Sequence, residues 1–226
     1  MIGFDIYYLV LVVPAILLSL YAQIMVKSTF AKYSHVKSAR NISGREAANL
    51  VLGVKSVRGV AIQQVRGSLT DHYDPGSKVI RLSDPVYANT SIAAIGVAAH
   101  EAGHAIQHAT AYGPLGLRST LVPVAQVGSA AGPWLAMGGI FFSIPILLHI
   151  GIILFGGAVL FYLITLPVEF NASDRAIKIL RSSAILSETE LEGVKKVLTA
   201  AAMTYVASAL TALMNFIRLI LIARRR

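Results

Sequence analysis

Two histidines and a glutamate in one short segment are the residues of this chain best suited to chemistry. His100, Glu101 and His104 form the pattern His-Glu-x-x-His within residues 97–107, a segment that is rich in alanine and has no proline. On a helix, positions i and i+4 lie one turn apart on the same face, so both imidazoles can reach one metal ion. A catalytic zinc ion keeps one position open for water. Glu101 is then placed to take a proton from that water as general base.

The competing interpretation of this segment is structural, with two histidines on a buried helix that each bond to a backbone carbonyl. Ionisable groups at this density in apolar surroundings cost roughly several kcal/mol unless they have partners, which favours a metal. The longer metzincin motif needs a glycine and a further histidine where this chain has Gln107 and Thr110, so that layout is excluded. We interpret His108 as a residue behind the ligands or in the core.

The composition indicates an integral membrane protein. Of 226 residues, 55% are hydrophobic and 14% charged, and the mean hydropathy is +0.66. Soluble domains are more polar than this. The net charge is +9, but the basic residues are not interleaved with aromatic ones, so we expect no nucleic-acid partner. There is no cysteine, so a metal must be held by histidine and carboxylate groups.

Long uncharged segments mark the candidate membrane spans. Residues 6–26 carry no charge and are long enough to cross a bilayer. A signal peptide is the alternative, but Asp5 stands where a basic segment would be expected. Residues 119–168 are also uncharged, and their length predicts a hairpin of two spans that turns near residues 143–145. Small residues in both arms, among them Gly128, Gly132, Gly156 and Gly157, would allow close helix contact.

The last uncharged segment, residues 197–217, has two interpretations. It is long enough to span, but Arg218 and the basic residues 224–226 would then lie opposite the other basic loops, against the positive-inside rule. The alternative is a helix that packs beside the site without crossing. Tyr205 within it is a candidate oxyanion donor or a structural hydrogen-bonding group.

The region between the first two uncharged segments is predicted to be cytoplasmic and folded. Ten of the twenty Lys and Arg residues lie between Lys27 and Arg81. Ser43 and Glu46 form a capping box before a short helix. Residues 59–65 and 78–82 are β-branched runs around a turn-rich segment, which predicts a small antiparallel sheet. Its edge either binds an extended substrate or only supports the metal-site helix.

A carboxylate after the hairpin is the candidate third ligand. Two crossings return the chain to the side it left, so Glu169 emerges on the same face of the membrane as His104. Glu169 either completes the metal site or caps the helix that follows it. Ser187 and Glu190 form a second capping box ahead of an amphipathic helix.

Several of these segments resemble the bacterial YugP-type neutral zinc metallopeptidases over nearly the full length. The resemblance is carried by residues 100–108, by Leu-Thr-Asp-His-Tyr-Asp-Pro and Val-Ile-Arg-Leu-Ser, and by residues 169–176. The layout is more distantly similar to the HtpX-like and CAAX-prenyl endopeptidases, whose Glu-(Phe/Tyr)-x-Ala-Asp motif implies Glu169 as the third zinc ligand. Ser173 stands in place of the motif's aspartate, so Asn171 or Asp174 is expected to take over its supporting role.

The expected fold is mainly α, with integral membrane helices and a small α+β gluzincin-like zinc peptidase domain that contains a short antiparallel sheet. We expect a multi-pass protein of the bacterial cell membrane with its active site on the cytoplasmic side, acting on peptides or membrane proteins and contacting membrane lipids. The predicted parts are an N-terminal transmembrane helix (1–26), a cytoplasmic peptidase region (27–118), a transmembrane hairpin (119–168), helices carrying the third ligand (169–197) and a C-terminal hydrophobic helix (198–226).

The predicted activity is zinc-dependent endopeptidase, with His100, His104 and Glu169 as ligands of Zn2+ and Glu101 as the base that activates a zinc-bound water. Two other functions stay open. One is a non-catalytic membrane scaffold or chaperone with a structural zinc, although such sites usually have four ligands and often thiolates. The other is a metal or proton transporter, although the histidines lie outside the predicted spans.

Overall fold

Helices make up most of the chain. The structure is a computed structural model that describes residues 5–224; residues 1–4, 225 and 226, which include two arginines of the predicted basic tail, lie outside the described residues. A π-helical turn, Tyr8–Val12, leads into the first of seven α-helices, and three short strands follow the second. The elements are α1 (Val13–Ser34), α2 (Gly44–Val54), β1 (Ala61–Val65), β2 (His72–Asp74), β3 (Val79–Ser83), α3 (Asp84–Tyr87), α4 (Ile92–Ala109), α5 (Gly113–Phe141), α6 (Pro145–Ser182) and α7 (Glu188–Ala223). The predicted fold class, mainly α with a small α+β part, is confirmed.

Two compact units divide the described chain. The first contains the described parts of Met1–Gln23, Gly116–Pro167 and Met203–Arg226. The second contains Ile24–Leu115 and Val168–Ala202. Four helices contribute residues to both units, namely α1, α6 and α7 and, with its first three residues, α5.

The second unit is built around α4. Ser91 caps this helix, since its hydroxyl oxygen accepts the backbone N–H of Ala94 at 3.2 Å. Small and branched apolar residues then let neighbouring elements close over most of its surface. The fully buried side chains of this core include Ile80, Leu82, Ile92, Ile95, Ile106, Leu180 and Leu191. The His-Glu-x-x-His motif therefore lies on a largely enclosed helix of this unit.

Both predicted capping boxes are confirmed. The Ser43 N–H donates to Glu46 Oε2 at 2.8 Å, and the Glu46 N–H donates to Ser43 Oγ at 3.3 Å. At the start of α7, the Ser187 N–H donates to Glu190 Oε2 at 2.7 Å and the Glu190 N–H donates to Ser187 Oγ at 3.3 Å. These bonds satisfy backbone N–H groups that a helix start leaves without partners.

The small sheet is mixed, so the prediction of a purely antiparallel sheet is wrong in one pairing. The strand order is β1-β3-β2. β1 runs parallel to β3, and only β2 runs antiparallel to β3. The reason is that residues 72–74, which the sequence placed in a turn, form a strand of their own. This strand lies beside β3, so β1 pairs with the opposite edge of β3 after a longer connection.

In the first unit, α5 and α6 form a closely packed helical pair. α5 ends at Phe141 and α6 begins at Pro145, next to the predicted turn. A Cβ atom on Gly128 would overlap the carbonyl oxygen of Leu154, and one on Gly132 would lie 2.8 Å from the Phe155 N. The predicted role of glycine in close contact is confirmed at these two positions. Gly156 instead faces the ring of Phe216 on α7.

Three helical segments are long and apolar enough to cross a membrane, namely Tyr8–Ser34, Pro145–Ser182 and Glu188–Ala223. α5 is not among them, because its glycines, two internal prolines and Gln126 dilute its apolar residues. The first arm of the predicted two-span hairpin therefore stays a prediction. The described residues fit a membrane protein with at least these three candidate spans.

Arg218, which complicated the interpretation of the last apolar segment, is paired. Its Nη2 lies 2.7 Å from Asp5 Oδ2, its guanidinium lies 5.2 Å from the centre of the Tyr8 ring, and its side chain is only 8% exposed. Later in the chain than Asp5 and before Arg218, the hydroxyls of Ser19 on α1 and Thr211 on α7 lie 3.0 Å apart. α1 and α7 therefore run antiparallel within the first unit, and the charge of Arg218 is balanced there.

Candidate metal centre

Glu169 lies in the interior of α6, not at a helix start. α6 continues from Pro145 to Ser182 and contains Pro167 without ending there. The alternative that Glu169 caps a following helix is therefore wrong, since the stabilising effect of an acid on a helix terminus is confined to the first turn. The side chain is 2% exposed, and a carboxylate this buried needs partners.

A glycine inside the His-Glu-x-x-His motif brings α6 close to α4. A Cβ atom on Gly103 would lie 2.5 Å from the carbonyl oxygen of Ala172 and 3.2 Å from its Cα. Real Cβ atoms do not approach backbone atoms this closely, so a larger residue would push the two helices apart. Ala172 itself is fully buried at this contact. Glu169 lies one turn before Ala172, which places its carboxylate against the histidine face of α4.

The three candidate ligands meet at one point. His100 Nε2 lies 3.2 Å and His104 Nε2 3.5 Å from Glu169 Oε2. One ligand atom from each residue lies within 4.8 Å of the other two. The two rings are nearly perpendicular, at 83°, with centroids 4.7 Å apart. The structure thus brings together all three residues that the sequence selected as ligands.

The far side of the His104 ring is held by Gln107. The Gln107 Nε2 donates to the carbonyl oxygen of Val168 at 2.7 Å and to Asn171 Oδ1 at 3.0 Å. A carbonyl only accepts, so the amide nitrogen of Gln107 must face Val168 and its oxygen must face His104. His104 Nδ1 therefore carries the hydrogen in the 3.0 Å bond to Gln107 Oε1. In neutral His104, Nε2 then presents a lone pair to Glu169.

The far side of the His100 ring is held by Ser173. His100 Nδ1 lies 3.0 Å from Ser173 Oγ. The predicted substitutes for the motif aspartate do not contact this ring. Asn171 is one step removed because it bonds Gln107, and Asp174 is exposed and pairs with Lys178 at 2.7 Å. Ser173 itself, at the sequence position of the motif's aspartate, contacts His100, so neither Asn171 nor Asp174 takes the expected direct supporting role.

This donor set fits a divalent cation. An imidazole lone pair and an ionised carboxylate are both acceptors, so their convergence needs a cation or an additional proton between them. Two ligands that each lie about 2.0–2.1 Å from a tetrahedral zinc are separated by about 3.3 Å. The separations of 3.2 and 3.5 Å between Glu169 Oε2 and the two histidine nitrogens match this spacing. The residues present can therefore hold zinc.

The electrostatics of the cluster favour positive charge at His104. Burial lowers the pKa of His104, but the hydrogen bond to Glu169 and the charges of Glu101 and Glu169 outweigh it, and the pKa is raised overall. The Gln107 bond acts in the same direction. Two nearby carboxylates thus stabilise a cation at the point where the histidine nitrogens converge.

Glu101 lies beside the cluster without belonging to it. Its side chain is 8% exposed, and its carboxylate is not among the three converging ligand groups. Within residues 5–224, this carboxylate accepts no side-chain or backbone hydrogen bond, in contrast to Glu169. A carboxylate beside the cluster that no donor occupies is suited to taking a proton from a reacting group.

His108 is neither a core residue nor a neighbour of the ligands, so that interpretation is wrong. It is exposed, and its Nδ1 bonds the hydroxyl of Tyr73 on β2 at 2.8 Å. The sequence reasoning also missed Gln107 and Gly103 as parts of the site. A signal for Gln107 was present, because an amide three residues after His104 on a predicted buried helix needs a hydrogen-bonding partner.

Comparison with known proteins agrees with this geometry. A family described as "Putative neutral zinc metallopeptidase" matches residues 8–224. A Bacillus subtilis (strain 168) protein named "Putative membrane protease YugP" is 48% identical over 215 residues, which cover 95% of this chain and 96% of that protein. No solved structure matches the chain. Since the match extends over nearly all of the sequence, this chain belongs to the neutral zinc metallopeptidase family.

Proposed function

We propose that this protein is a membrane-embedded, zinc-dependent endopeptidase in which His100, His104 and Glu169 bind zinc and Glu101 is the general base. The convergence of three ligand atoms within 4.8 Å carries this proposal. No fourth histidine or carboxylate joins the group within the described chain. Three protein ligands are typical of catalytic zinc, which needs an open position, whereas structural zinc sites usually have four.

The chemistry divides between the ion and the side chains. A bound zinc ion would polarise the scissile carbonyl and increase the acidity of a water molecule. Glu101 accepts a proton from the attacking water on a carboxylate oxygen and donates it to the amine nitrogen as the peptide bond breaks. Gln107 and Ser173 keep the two imidazoles in the orientation that directs Nε2 at the ion.

An exposed sheet edge supports a polypeptide substrate. The strand order places β1 and β2 at the two edges of the sheet among the described residues. β2 is linked to the metal-site helix by the bond of 2.8 Å between Tyr73 and His108, one turn beyond His104. An extended peptide can add to such an edge through main-chain hydrogen bonds. This placement favours an endopeptidase over a hydrolase of small molecules.

The membrane placement follows from apolar helices and charge. The relative from Bacillus subtilis is named a membrane protease, and three helical segments of this chain are apolar enough to span. Ten Lys and Arg residues lie between Lys27 and Arg81, after the first of these segments. Under the positive-inside rule, the second unit then faces the cytoplasm of a bacterial cell. Peptides and membrane-protein segments at that surface would be its substrates.

The transporter alternative lacks support in the part of the chain that the structure describes. Only one group of three metal-ligating side chains occurs there. A path across the bilayer would need a succession of polar or ionisable groups along the spans. The scaffold alternative is weakened by the absence of cysteine and of a fourth ligand in residues 5–224.

The test is the Glu101→Gln variant of the purified full chain. Zinc content is measured by elemental analysis, and casein hydrolysis is followed with and without a chelator. Glu101→Gln should retain stoichiometric zinc and lose activity by about 100- to 10,000-fold, since it removes the proton acceptor. The parent should lose activity with the chelator and regain it with added zinc.

Glu188→Gln is the matched control, because Glu188 is an exposed carboxylate at the start of α7, with its side chain 73% exposed. It should leave both zinc content and hydrolysis unchanged. Full hydrolysis by Glu101→Gln, or hydrolysis by the parent that is insensitive to zinc removal, would reject the proposal.

A further inference from the structure

A groove in the second unit lies between the C-terminal part of α1 and the N-terminal part of α7. It has a volume of about 530 Å³ and is lined by Met25, Thr29, Lys32, Tyr33, Glu192, Lys195, Lys196, Thr199 and Ala200. Gly193 shapes it, since a Cβ atom there would lie 2.9 Å from the Tyr33 ring. The absence of that atom lets Tyr33 pack directly on α7.

The groove is positively charged. Glu192 forms an ion pair with Lys195, so these two lining charges cancel. Neither Lys32 nor Lys196 forms an ion pair within the described residues, and both side chains are exposed. The Lys32 ammonium lies 5.7 Å from the centre of the Tyr33 ring. Two lysines therefore remain to bind an anion, and the hydroxyls of Thr29 and Thr199 can add hydrogen bonds.

The position of the groove along the helices points to a lipid. The uncharged segment that contains the start of α1 ends at Val26, and the uncharged part of α7 begins at Val197. Met25, Thr199 and Ala200 thus lie on the apolar side of this boundary, while the lysines lie on the polar side. If α1 and α7 span the membrane, the boundary coincides with the layer of lipid phosphates.

We propose that this groove binds the phosphate headgroup of an anionic phospholipid, with Lys32 and Lys196 as its cationic ligands. The phosphate would lie between the two lysines, and the acyl chains would follow the apolar side of the groove past Met25 and the exposed side chain of Ile24. A basic pocket between helices at the cytoplasmic surface is suited to this class of lipid. The inference depends on membrane insertion of α1 and α7, but not on peptidase activity.

The test is lipid binding by the full chain after delipidation in detergent, measured by native mass spectrometry. The probes are phosphatidylglycerol, phosphatidylcholine and sodium phosphate. The parent should bind one phosphatidylglycerol more tightly than phosphatidylcholine. Lys32→Gln/Lys196→Gln should bind phosphatidylglycerol about 25-fold more weakly, which corresponds to about fivefold for each lysine near the membrane surface.

Lys27→Gln/Lys55→Gln is the matched control, because it removes the same charge from two lysines that do not line the groove. It should bind phosphatidylglycerol like the parent, and circular dichroism should show equal helix content in all three proteins. Equal loss in both double variants would overturn the proposal, as would no loss in either. Inorganic phosphate that binds as tightly as phosphatidylglycerol would overturn the assignment to a lipid and indicate a small-anion site.

The outcome is separable from the peptidase proposal. Casein hydrolysis in detergent should be the same for the parent and for Lys32→Gln/Lys196→Gln, because neither lysine belongs to the metal centre. A failure of lipid binding would leave the zinc assignment unaffected, and an inactive parent would leave the lipid measurement interpretable.

Discussion

The two halves of α6 make close helix contacts in the same way but carry different chemistry. In the first unit, Gly128 of α5 allows contact with the backbone at Leu154 of α6. In the second unit, Gly103 of α4 allows the same kind of contact at Ala172. Residues 145–168 of α6 contain no Asp, Glu, Lys or Arg, whereas the next turns contain polar groups at every second position. In both places a glycine lets two helices lie close together. Only the contact in the second half of α6 brings candidate metal ligands together.

The polar residues in the second half of α6 form two pairs, and the members of each pair lie one helical turn apart. Glu169 and Ser173 are one turn apart, and both contact His100. Asn171 and Arg175 are also one turn apart; Arg175 Nε donates to Asn171 Oδ1 at 2.7 Å, and its guanidinium lies 5.6 Å from the centre of the Tyr112 ring. One pair therefore faces the candidate metal centre, and the other bonds the amide network behind it.

The largest expected effect comes from removing the ligand charge in the polar half of α6. Mutating a residue that only supports a metal ligand lowers metal affinity by up to about 100-fold. Glu169→Gln should lower zinc affinity by more than this, because it removes an anionic ligand directly. Competition with a zinc-binding dye measures it. Asp174→Asn, an exposed acid on the same part of α6, should bind zinc like the parent; equal affinity of Glu169→Gln and the parent would exclude Glu169 as a ligand.

Removing the amide behind His104 should have the next largest effect. Gln107→Leu keeps the buried volume but removes the acceptor of His104 Nδ1 and one donor to the Val168 carbonyl, so zinc affinity should fall by about 10- to 100-fold. The same dye competition measures this. Val97→Thr, a polar change at a partly buried position of α4, is the control for a general disturbance of the helix. Unchanged affinity in Gln107→Leu would show that the network does not orient His104.

Removing the hydrogen-bond partner of His100 should lower zinc affinity by a smaller factor, and a second substitution at the same position should reverse the loss. Ser173→Ala removes the partner of His100 Nδ1 and should lower zinc affinity by about tenfold. Ser173→Asp introduces the residue of the distantly similar motif and should restore or exceed the affinity of the parent, since a carboxylate is the stronger acceptor for an imidazole N–H. If both variants bind zinc like the parent, His100 is held by other contacts.

Substituting the two glycines at the helix contacts should have the smallest effect on zinc affinity. Gly103→Ala and Gly128→Ala should each destabilise the protein by about 1–3 kcal/mol, because a Cβ atom would enter neighbouring backbone. Only Gly103→Ala should also weaken zinc binding, since only that contact positions Glu169. Thermal unfolding and dye competition are measured on both, with Gly53→Ala as control, where a Cβ atom meets nothing within 4 Å. Weaker zinc binding in Gly128→Ala would remove the distinction between the two contacts.

The ligand candidates could be selected from sequence because each follows from a pattern along the chain. His100 and His104 follow helical spacing, and Glu169 follows from a charge-free excursion that ends in an acid. The capping boxes at Ser43 and Ser187 are equally local.

The partners of the supporting residues could not be predicted, because they depend on how α4 and α6 are rotated against each other. Ser173 and Asp174 are adjacent in sequence, yet one faces His100 and the other pairs with Lys178 in solvent. The direction of β1 was also not encoded locally, since a three-residue strand, β2, replaced the expected turn. Long-range register and helix rotation are properties of the packed core.

We propose that two imidazoles and one carboxylate of this chain hold a single zinc ion. Zinc K-edge X-ray absorption of the zinc-loaded parent tests it directly, because imidazole rings give a distinct scattering pattern from the metal. We expect one zinc per chain with two imidazole nitrogens and the remaining ligands oxygen, at about 2.0–2.2 Å. A protein that binds no zinc, or a zinc shell with one imidazole or with three or more, would contradict it.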